Sequence, residues 1–199
     1  MMKLVQRGVL GMAMALLSLG ALAVPENYGP SRSGEAPSNS FIATASGQLV
    51  GHYTDLAGGY TVLVGVRING VDGPTGLNNQ PGVYGDSFVL GNVSAGDSLV
   101  FFIDATDYGN VTTRFYSDKS LNTDGKNHAW ALAYAGDAAV PAGLHIAFED
   151  QFGGGDFNYA DHGIVVQNVL AVPSPVPEPA SWALLMGGIA GLAVLRRRR

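Results

Sequence analysis

The strongest constraint on the fold is a series of short apolar segments in which apolar and polar side chains alternate. Between residues 60 and 68, large apolar side chains occupy every second position, so one face of this segment is suited to burial. Leu144, Ile146 and Phe148 alternate in the same way. No stretch between residues 24 and 176 keeps a 3.6-residue period. The pattern therefore predicts strands rather than helices.

Nine segments of this kind are predicted strands, and clusters such as Asn69-Gly70 supply the turns between them. The predicted strands are Phe41–Ala45, Leu49–Tyr53, Tyr60–Ile68, Ser87–Val93, Leu99–Ala105, Val111–Tyr116, Ala129–Tyr134, Leu144–Phe148 and Gly163–Val169. Their spacing predicts an all-β fold, namely an antiparallel β-sandwich of the jelly-roll kind. A signal peptide and a C-terminal transmembrane helix are expected to flank it.

Cysteine content and charge exclude several classes of protein. The chain has no cysteine, which excludes disulfides, thiolate metal sites and cysteine nucleophiles. Residues 24–176 carry five basic and 15 acidic side chains, a net charge of about −10. Because such a surface repels nucleic acid and attracts cations, we expect no nucleic-acid partner.

The N-terminus has the three parts of a secretory signal peptide. Two basic residues precede an apolar stretch at residues 8–20, and Ala21 and Ala23 form a small-residue cleavage site. We therefore expect residues 1–23 to be removed by signal peptidase. The alternative is an uncleaved membrane anchor, which the small residues before Val24 disfavour.

The C-terminus combines a proline-rich segment, an uncharged stretch and a basic tail. Residues 171–179 are predicted to be an extended linker, and residues 180–195 a transmembrane helix. The basic tail is expected to stay on the cytoplasmic side. It consists of Arg196, Arg197, Arg198 and Arg199. Between the two ends, residues 24–40 are predicted to be a flexible lead-in and residues 41–170 the β-sandwich domain.

Pro177, Glu178 and Pro179, followed by the apolar stretch and the arginine run, closely resemble the PEP-CTERM sorting signal of Gram-negative bacteria. The resemblance implies that an exosortase recognises the Pro-Glu-Pro motif and removes the helix. It also implies an intermediate anchored in the inner membrane, and then a place at the cell surface or in the extracellular matrix. Such proteins are associated with exopolysaccharide and biofilm.

Oxygen-bearing side chains cluster around three successive glycines, Gly153 to Gly155. The cluster consists of Glu149, Asp150, Asp156, Asn158 and Asp161. Gathered carboxylates repel one another unless a cation or proton compensates them, and hard oxygen ligands without cysteine favour calcium. We therefore predict that these five residues bind calcium, with the glycines allowing the backbone to fold back.

The same segment resembles the Phe-Glu-Asp…Gly-Gly-Asp-x-x-Tyr-x-Asp terminal motif of a domain of unknown function common in such sorted surface proteins. The resemblance implies calcium binding, and Ala160 departs from it because the pattern usually has Asn there. A second element, residues 122–128, adds Asp124 as a candidate further ligand. The alternative for both segments is a solvated turn, since Asp, Asn and Gly form turns whatever the function.

We expect no enzymatic activity. Residues 96–99 spell the Gly-Asp-Ser-Leu motif of a hydrolase family, but a predicted strand follows Ser98 and the sequence has no Asp-x-x-His. A non-catalytic matrix or adhesion protein is the preferred prediction. A carbohydrate-binding module is the alternative, because aromatic side chains can stack on sugars. Its candidates are Tyr84, Tyr108, Tyr116, Trp130, Tyr134 and Tyr159. A third alternative is a secreted glycan-cleaving enzyme that uses Asp150 and Asp156.

Overall fold

The computed structural model describes residues 34–54 and 58–173, and in them the chain forms eleven strands. The strands are β1 (Asn39–Ala43), β2 (Gly47–Tyr53), β3 (Thr61–Ile68), β4 (Val71–Gly76), β5 (Ser87–Val93), β6 (Ser98–Thr106), β7 (Thr112–Tyr116), β8 (Ala129–Tyr134), β9 (Gly143–Phe148), β10 (His162–Val166) and β11 (Val169–Pro173). The helical pieces of this part of the chain are two three-residue 3₁₀ turns, Lys119–Leu121 and Phe152–Gly154. The all-β prediction is confirmed.

The strands form two antiparallel sheets. Sheet A has the order β11-β1-β6-β3-β4, with β7 paired to the C-terminal part of β6. Sheet B has the order β5-β2-β10-β9-β8. One hydrophobic core contains side chains from both sheets, including Val64 and Phe101 of sheet A and Ile146 and Ile164 of sheet B. The sheets therefore share an apolar face, as in a β-sandwich.

All nine predicted strands correspond to observed strands, and two of them, β5 and β8, have the predicted bounds. The alternation in β3 is also confirmed, because Val62, Val64 and Val66 are fully buried. Two strands were missed. β4 contains Gly73 and Pro74 and pairs only with β3, and an edge strand of this kind tolerates proline.

The predicted strand Gly163–Val169 spans the end of one strand and the start of another, and these two strands belong to different sheets. β10 ends at Val166 in sheet B, and β11 begins at Val169 in sheet A. Asn168 adopts a φ of 57°, a left-handed conformation that asparagine accepts more readily than most residues. The chain therefore turns and changes sheets at a point where the apolar pattern continues.

No helix within residues 34–54 or 58–173 is long and apolar enough to cross a bilayer. The predicted signal peptide (1–23) and transmembrane helix (180–195) lie outside the described residues, as does the basic tail.

The outer face of sheet A contains an aromatic ring held between a glycine and an arginine. Phe102 lies beside Gly65 in the strand register, and the Arg114 guanidinium lies 3.9 Å from the centre of the Phe102 ring. A Cβ atom at Gly65 would lie 2.4 Å from the ring Cζ. The ring is completely buried because the glycine has no side chain.

We predict that Gly65→Ala destabilises the domain by about 1–3 kcal/mol, the usual cost of overpacking a buried site. Chemical denaturation at equilibrium measures the change. The control is Gly109→Ala, where the closest atom to the new Cβ would be Asp107 Oδ1 at 3.2 Å, in an exposed turn. Equal unfolding free energies for the two variants would contradict the ring placement.

Candidate functional site: the acidic loop

The acidic loop, residues 149–161, connects two neighbouring strands of sheet B. It leaves β9 after Phe148 and enters β10 at His162, and these two residues are register partners. The two ends of the loop therefore lie side by side, and residues from both flanks face each other. The pairing of β9 with β10 brings Glu149 and Asp150 close to Asp161.

The backbone of the loop folds back on itself through left-handed conformations. Gly153, Gly154 and Gly155 have φ values of 83°, 85° and 49°, and Phe157 and Tyr159 have 56° and 55°. Glycine is needed at position 155, because a Cβ atom there would lie 2.7 Å from Glu149 Oε2. The glycine run thus lets the backbone pass directly over a carboxylate.

Two carboxylates of the loop are buried without enough hydrogen-bond donors. Glu149 is 0% exposed and Asp150 is 2% exposed. Glu149 Oε1 accepts the Tyr159 backbone N–H at 2.7 Å, and Asp161 Oδ2 accepts the Asp150 backbone N–H at 3.1 Å. Glu149 Oε2 and Asp150 Oδ2 have no hydrogen-bond partner among the described residues. A buried charged oxygen without a donor is costly, so these two atoms need compensation.

Burial and mutual repulsion shift the titration of the cluster. Burial raises the pKa of Glu149 to about 8, and the charges of Asp161 and Asp156 act in the same direction. Burial also raises the pKa of Asp150 and that of Asp161, two carboxyl groups within hydrogen-bonding reach of each other. The cluster therefore favours a bound proton or a bound cation over free negative charge.

The structure brings together some of the predicted calcium ligands and turns others outward. Glu149, Asp150 and Asp161 converge, whereas Asp156 is exposed at the tip of the loop. Asn158 donates from Nδ2 to Asp156 Oδ2 at 2.8 Å, and its Oδ1 accepts the Ala160 backbone N–H at 2.7 Å. Within the described ranges, no three His, Asp or Glu side chains already form a group suited to a metal ion.

Asp124 holds the acidic loop from the side. Its Oδ2 accepts the Gly153 backbone N–H at 2.8 Å and lies 2.9 Å from His128 Nε2. Its Oδ1 accepts the Lys126 backbone N–H at 3.0 Å. In this arrangement both oxygens of Asp124 are occupied by protein donors, so the carboxylate fixes the loop position.

His128 is a residue of this site that the sequence analysis did not single out. It is fully buried and stacks on Phe115 with ring centres 4.0 Å apart. Nδ1 lies 2.9 Å from the Glu149 backbone oxygen, and Nε2 faces Asp124. Each ring nitrogen therefore has a hydrogen-bonding partner in the loop or beside it. Asp124 and His128 are four residues apart in the sequence, and this spacing was the available indication that they form a pair.

Residues 35–37 cover the acidic loop. No pattern in the sequence indicates this contact. Tyr159 Oη accepts the Ala36 backbone N–H at 2.8 Å and donates to the Asn127 backbone oxygen at 2.9 Å. Asn127 Nδ2 donates to the backbone oxygens of Ala36 and Pro37 at 3.0 and 3.1 Å. Glu35 Oε1 accepts the Asn127 N–H at 2.9 Å. These bonds close one side of the loop to water.

The six aromatic side chains considered for sugar stacking fall into three groups. The buried pair is Trp130 and Tyr159, the half-buried pair is Tyr116 and Tyr134, and the exposed pair is Tyr84 and Tyr108. Tyr84 and Tyr134 meet at their hydroxyl groups, 2.8 Å apart, and both donate to Asp137 Oδ2. The other exposed ring, Tyr108, packs edge-on against Tyr60.

An all-β domain followed by a Pro-Glu-Pro motif, an uncharged stretch and an arginine run has the organisation of an exported protein with a membrane-associated sorting signal. Residues 175–199 match the family model of the PEP-CTERM protein-sorting motif. The chain therefore carries this motif, as predicted, and is an exported substrate of exosortase sorting. No match was found among curated proteins or among solved structures.

The raised pKa of Glu149 predicts how stability depends on pH when divalent cations are removed. Its folded-state pKa of about 8 exceeds the unfolded value of 4.5, so the native state binds the extra proton. The stabilisation is complete below the unfolded pKa and is lost as the pH rises through the folded pKa. We expect the melting temperature in a chelating buffer to fall between about pH 5 and pH 8.

Glu149→Gln is the control, because an amide cannot titrate and the fall should become smaller. A melting temperature that rises over this pH interval in the unsubstituted protein would contradict the burial of Glu149.

Proposed function

We propose that this exported protein is a non-catalytic component of the cell surface or extracellular matrix, with a jelly-roll-like β-sandwich braced by calcium at the acidic loop. Its role would be structural or adhesive in exopolysaccharide or biofilm. The observation that carries the proposal is the pair of buried oxygens without donors, Glu149 Oε2 and Asp150 Oδ2. Outside the cell, calcium is available to sites of this kind, which bind with Kd about 10⁻⁴ to 10⁻³ M.

The donor set of the loop fits calcium better than other metals. Calcium takes six to eight oxygen ligands at flexible positions, and Glu149, Asp150 and Asp161 offer only oxygens. Waters and the outward carboxylate of Asp156, whose charge acts on Glu149, would complete the shell. Because no ready-made group of three exists in the described residues, binding would require a small adjustment of the loop, which the glycines permit.

The ends of the chain complete the proposal. Signal peptidase would remove residues 1–23, and residues 180–195 would hold the chain in the inner membrane with Arg196–Arg199 on the cytoplasmic side. The folded domain extends beyond the predicted 41–170 at both ends, because β1 begins at Asn39 and β11 ends at Pro173. The lead-in predicted at 24–40 and the linker predicted at 171–179 would be shorter by these residues. Exosortase would then act at the Pro-Glu-Pro motif.

Several features support a non-catalytic role. Ser98, in the Gly-Asp-Ser-Leu string, is the first residue of strand β6 and does not open a helix as the hydrolase mechanism requires. Asp150 is buried and Asp156 is at the loop tip, so the two carboxylates considered for glycan cleavage do not face a common open cleft.

We predict that calcium raises the melting temperature of the domain. At calcium about 100 times Kd, linkage gives a stabilisation of about 2.7 kcal/mol, which is roughly 5–10 °C for a domain of this size. Asp150→Asn should raise stability in chelator, because it removes a repelling charge, and should abolish the calcium gain. Asp156→Ala should reduce the gain. Differential scanning calorimetry measures all three.

Asp107→Asn is the matched control, since Asp107 Oδ1 accepts backbone N–H groups of its own turn at 2.8 and 2.9 Å. It should keep the full calcium gain. If Asp150→Asn stabilised the protein equally with and without calcium, the cluster would hold a proton instead of a metal ion.

A carbohydrate-binding module is the second candidate, and one observation favours it. Tyr84 and Tyr134 donate to the same oxygen of Asp137 on the surface, and this lowers the pKa of Asp137. One exposed ring and one half-buried ring beside an ionised carboxylate are suited to sugar hydroxyls and C–H faces.

A glycan array with the labelled protein tests this second candidate. Binding to a defined glycan that Tyr84→Ala removes would support the module, while Tyr108→Ala, at an exposed ring elsewhere, should leave binding unchanged. Absence of binding to every glycan would favour a purely structural role.

A further inference from the structure

A cavity of about 290 Å³ lies where β2 ends and β5 begins, beneath the segment that connects β4 with β5. We call it the β4–β5 pocket. Its lining residues belong neither to the acidic loop nor to the Tyr84–Asp137 contact. Its walls include the rings of Tyr53 and Phe88 and the polar side chains of Asn78, Asp86 and Ser87.

The polar groups of the pocket retain hydrogen-bonding capacity. Asp86 uses Oδ2 to accept the Val83 backbone N–H at 3.0 Å, and Asn78 uses Oδ1 to accept the Gln80 N–H at 2.9 Å. Among the described residues, no side-chain hydrogen bond involves the Ser87 hydroxyl, Asp86 Oδ1 or Asn78 Nδ2. A ligand with several hydroxyl groups could therefore find both donors and acceptors here.

One wall of the pocket is held in a strained backbone conformation. Leu77 has a φ of 54°, which is unfavourable for a branched side chain, and such strain is often kept at binding sites. The Leu77 backbone oxygen accepts a hydrogen bond from Nε2 of buried His162 at 2.7 Å. The His162 ring also contacts Tyr53, with ring centres 5.1 Å apart. The pocket is thus fixed before any ligand arrives.

The size and charge of the pocket select a class of ligand. Its volume is at the lower end of the ~300–1,000 Å³ typical of small-molecule sites, which suits a single ring. Among the described lining residues, Asp86 alone is charged, and the net charge of about −10 between residues 24 and 176 repels anions. A pyranose ring would present a C–H face to the half-buried ring of Phe88 and hydroxyls to the polar walls, whereas the fully buried Tyr53 ring offers no face to a ligand.

We propose that the β4–β5 pocket binds one pyranose unit of a neutral polysaccharide. The proposal rests on the extracellular placement in the proposed function and not on the calcium site. The pyranose proposal and the calcium proposal can fail separately, because the first is tested with sugars and the second with calcium.

The test uses the full chain in micelles of a polyoxyethylene ether detergent, which has no sugar headgroup. The methyl pyranosides of glucose, galactose and mannose are titrated against it by saturation-transfer NMR. We expect at least one of them to bind with Kd about 1 mM. We expect glucuronic acid, the charged counterpart, to bind at least about tenfold more weakly because of Asp86.

Ser87→Val removes the hydroxyl and fills the mouth of the pocket, and should weaken binding at least tenfold. The matched control is Ser98→Val, which also changes the exposed first residue of a strand, but in sheet A, and it should leave Kd unchanged. Equal melting temperatures for the two variants would show that folding is intact. The proposal is overturned if no pyranoside shows saturable binding, if Ser87→Val binds like the control, or if glucuronic acid binds best.

Discussion

The crowding of three carboxyl groups in one loop, two of them buried, is the constraint that organises this end of the molecule. Glu149, Asp150 and Asp161 come together because β9 and β10 are register partners up to the first residue of β10. Around them, Asp124 with His128 fixes the glycine run, and Tyr159 anchors the chain from the other side. Most of the local polar contacts serve to keep water away from groups that would otherwise be hydrated.

The two arginines that the structure describes bind carboxylates on the opposite sheet. Arg114 binds both oxygens of Asp104 at 2.6 and 2.7 Å and reaches Asp72 at 2.7 Å, while Arg67 binds Asp72 at 2.6 Å. Because these arginines neutralise carboxylates on sheet A, they do not compensate the acidic loop at the end of sheet B. Beside the loop, Lys119 and Lys126 pair with Glu35 of its cover, at 3.5 and 3.7 Å.

Local alternation was enough to predict the fold class and nearly every strand, since burial on one face leaves a period-two pattern in the sequence. The pattern did not predict β4, because Gly73 and Pro74 are typical of a turn. It also did not predict the change of sheet at Asn168, because the apolar pattern continues across that residue. The acidic loop was found from composition, but composition cannot show which side chains turn inward. Asp156 and Asn158 bind each other at the surface, and the cover formed by residues 35–37 depends on contacts with Asn127, about 90 positions away in the sequence.

The last strand has a consequence for how the chain is sorted. β11 ends at Pro173, and the sorting motif match begins at residue 175. A fully extended chain spans at most about 3.6 Å per residue, so Pro177 can be no farther than about 14 Å from the end of the sheet. An enzyme bound at the motif would therefore lie close to the folded domain. It would meet the edge of sheet A, where Leu170 and Val172 of β11 are exposed.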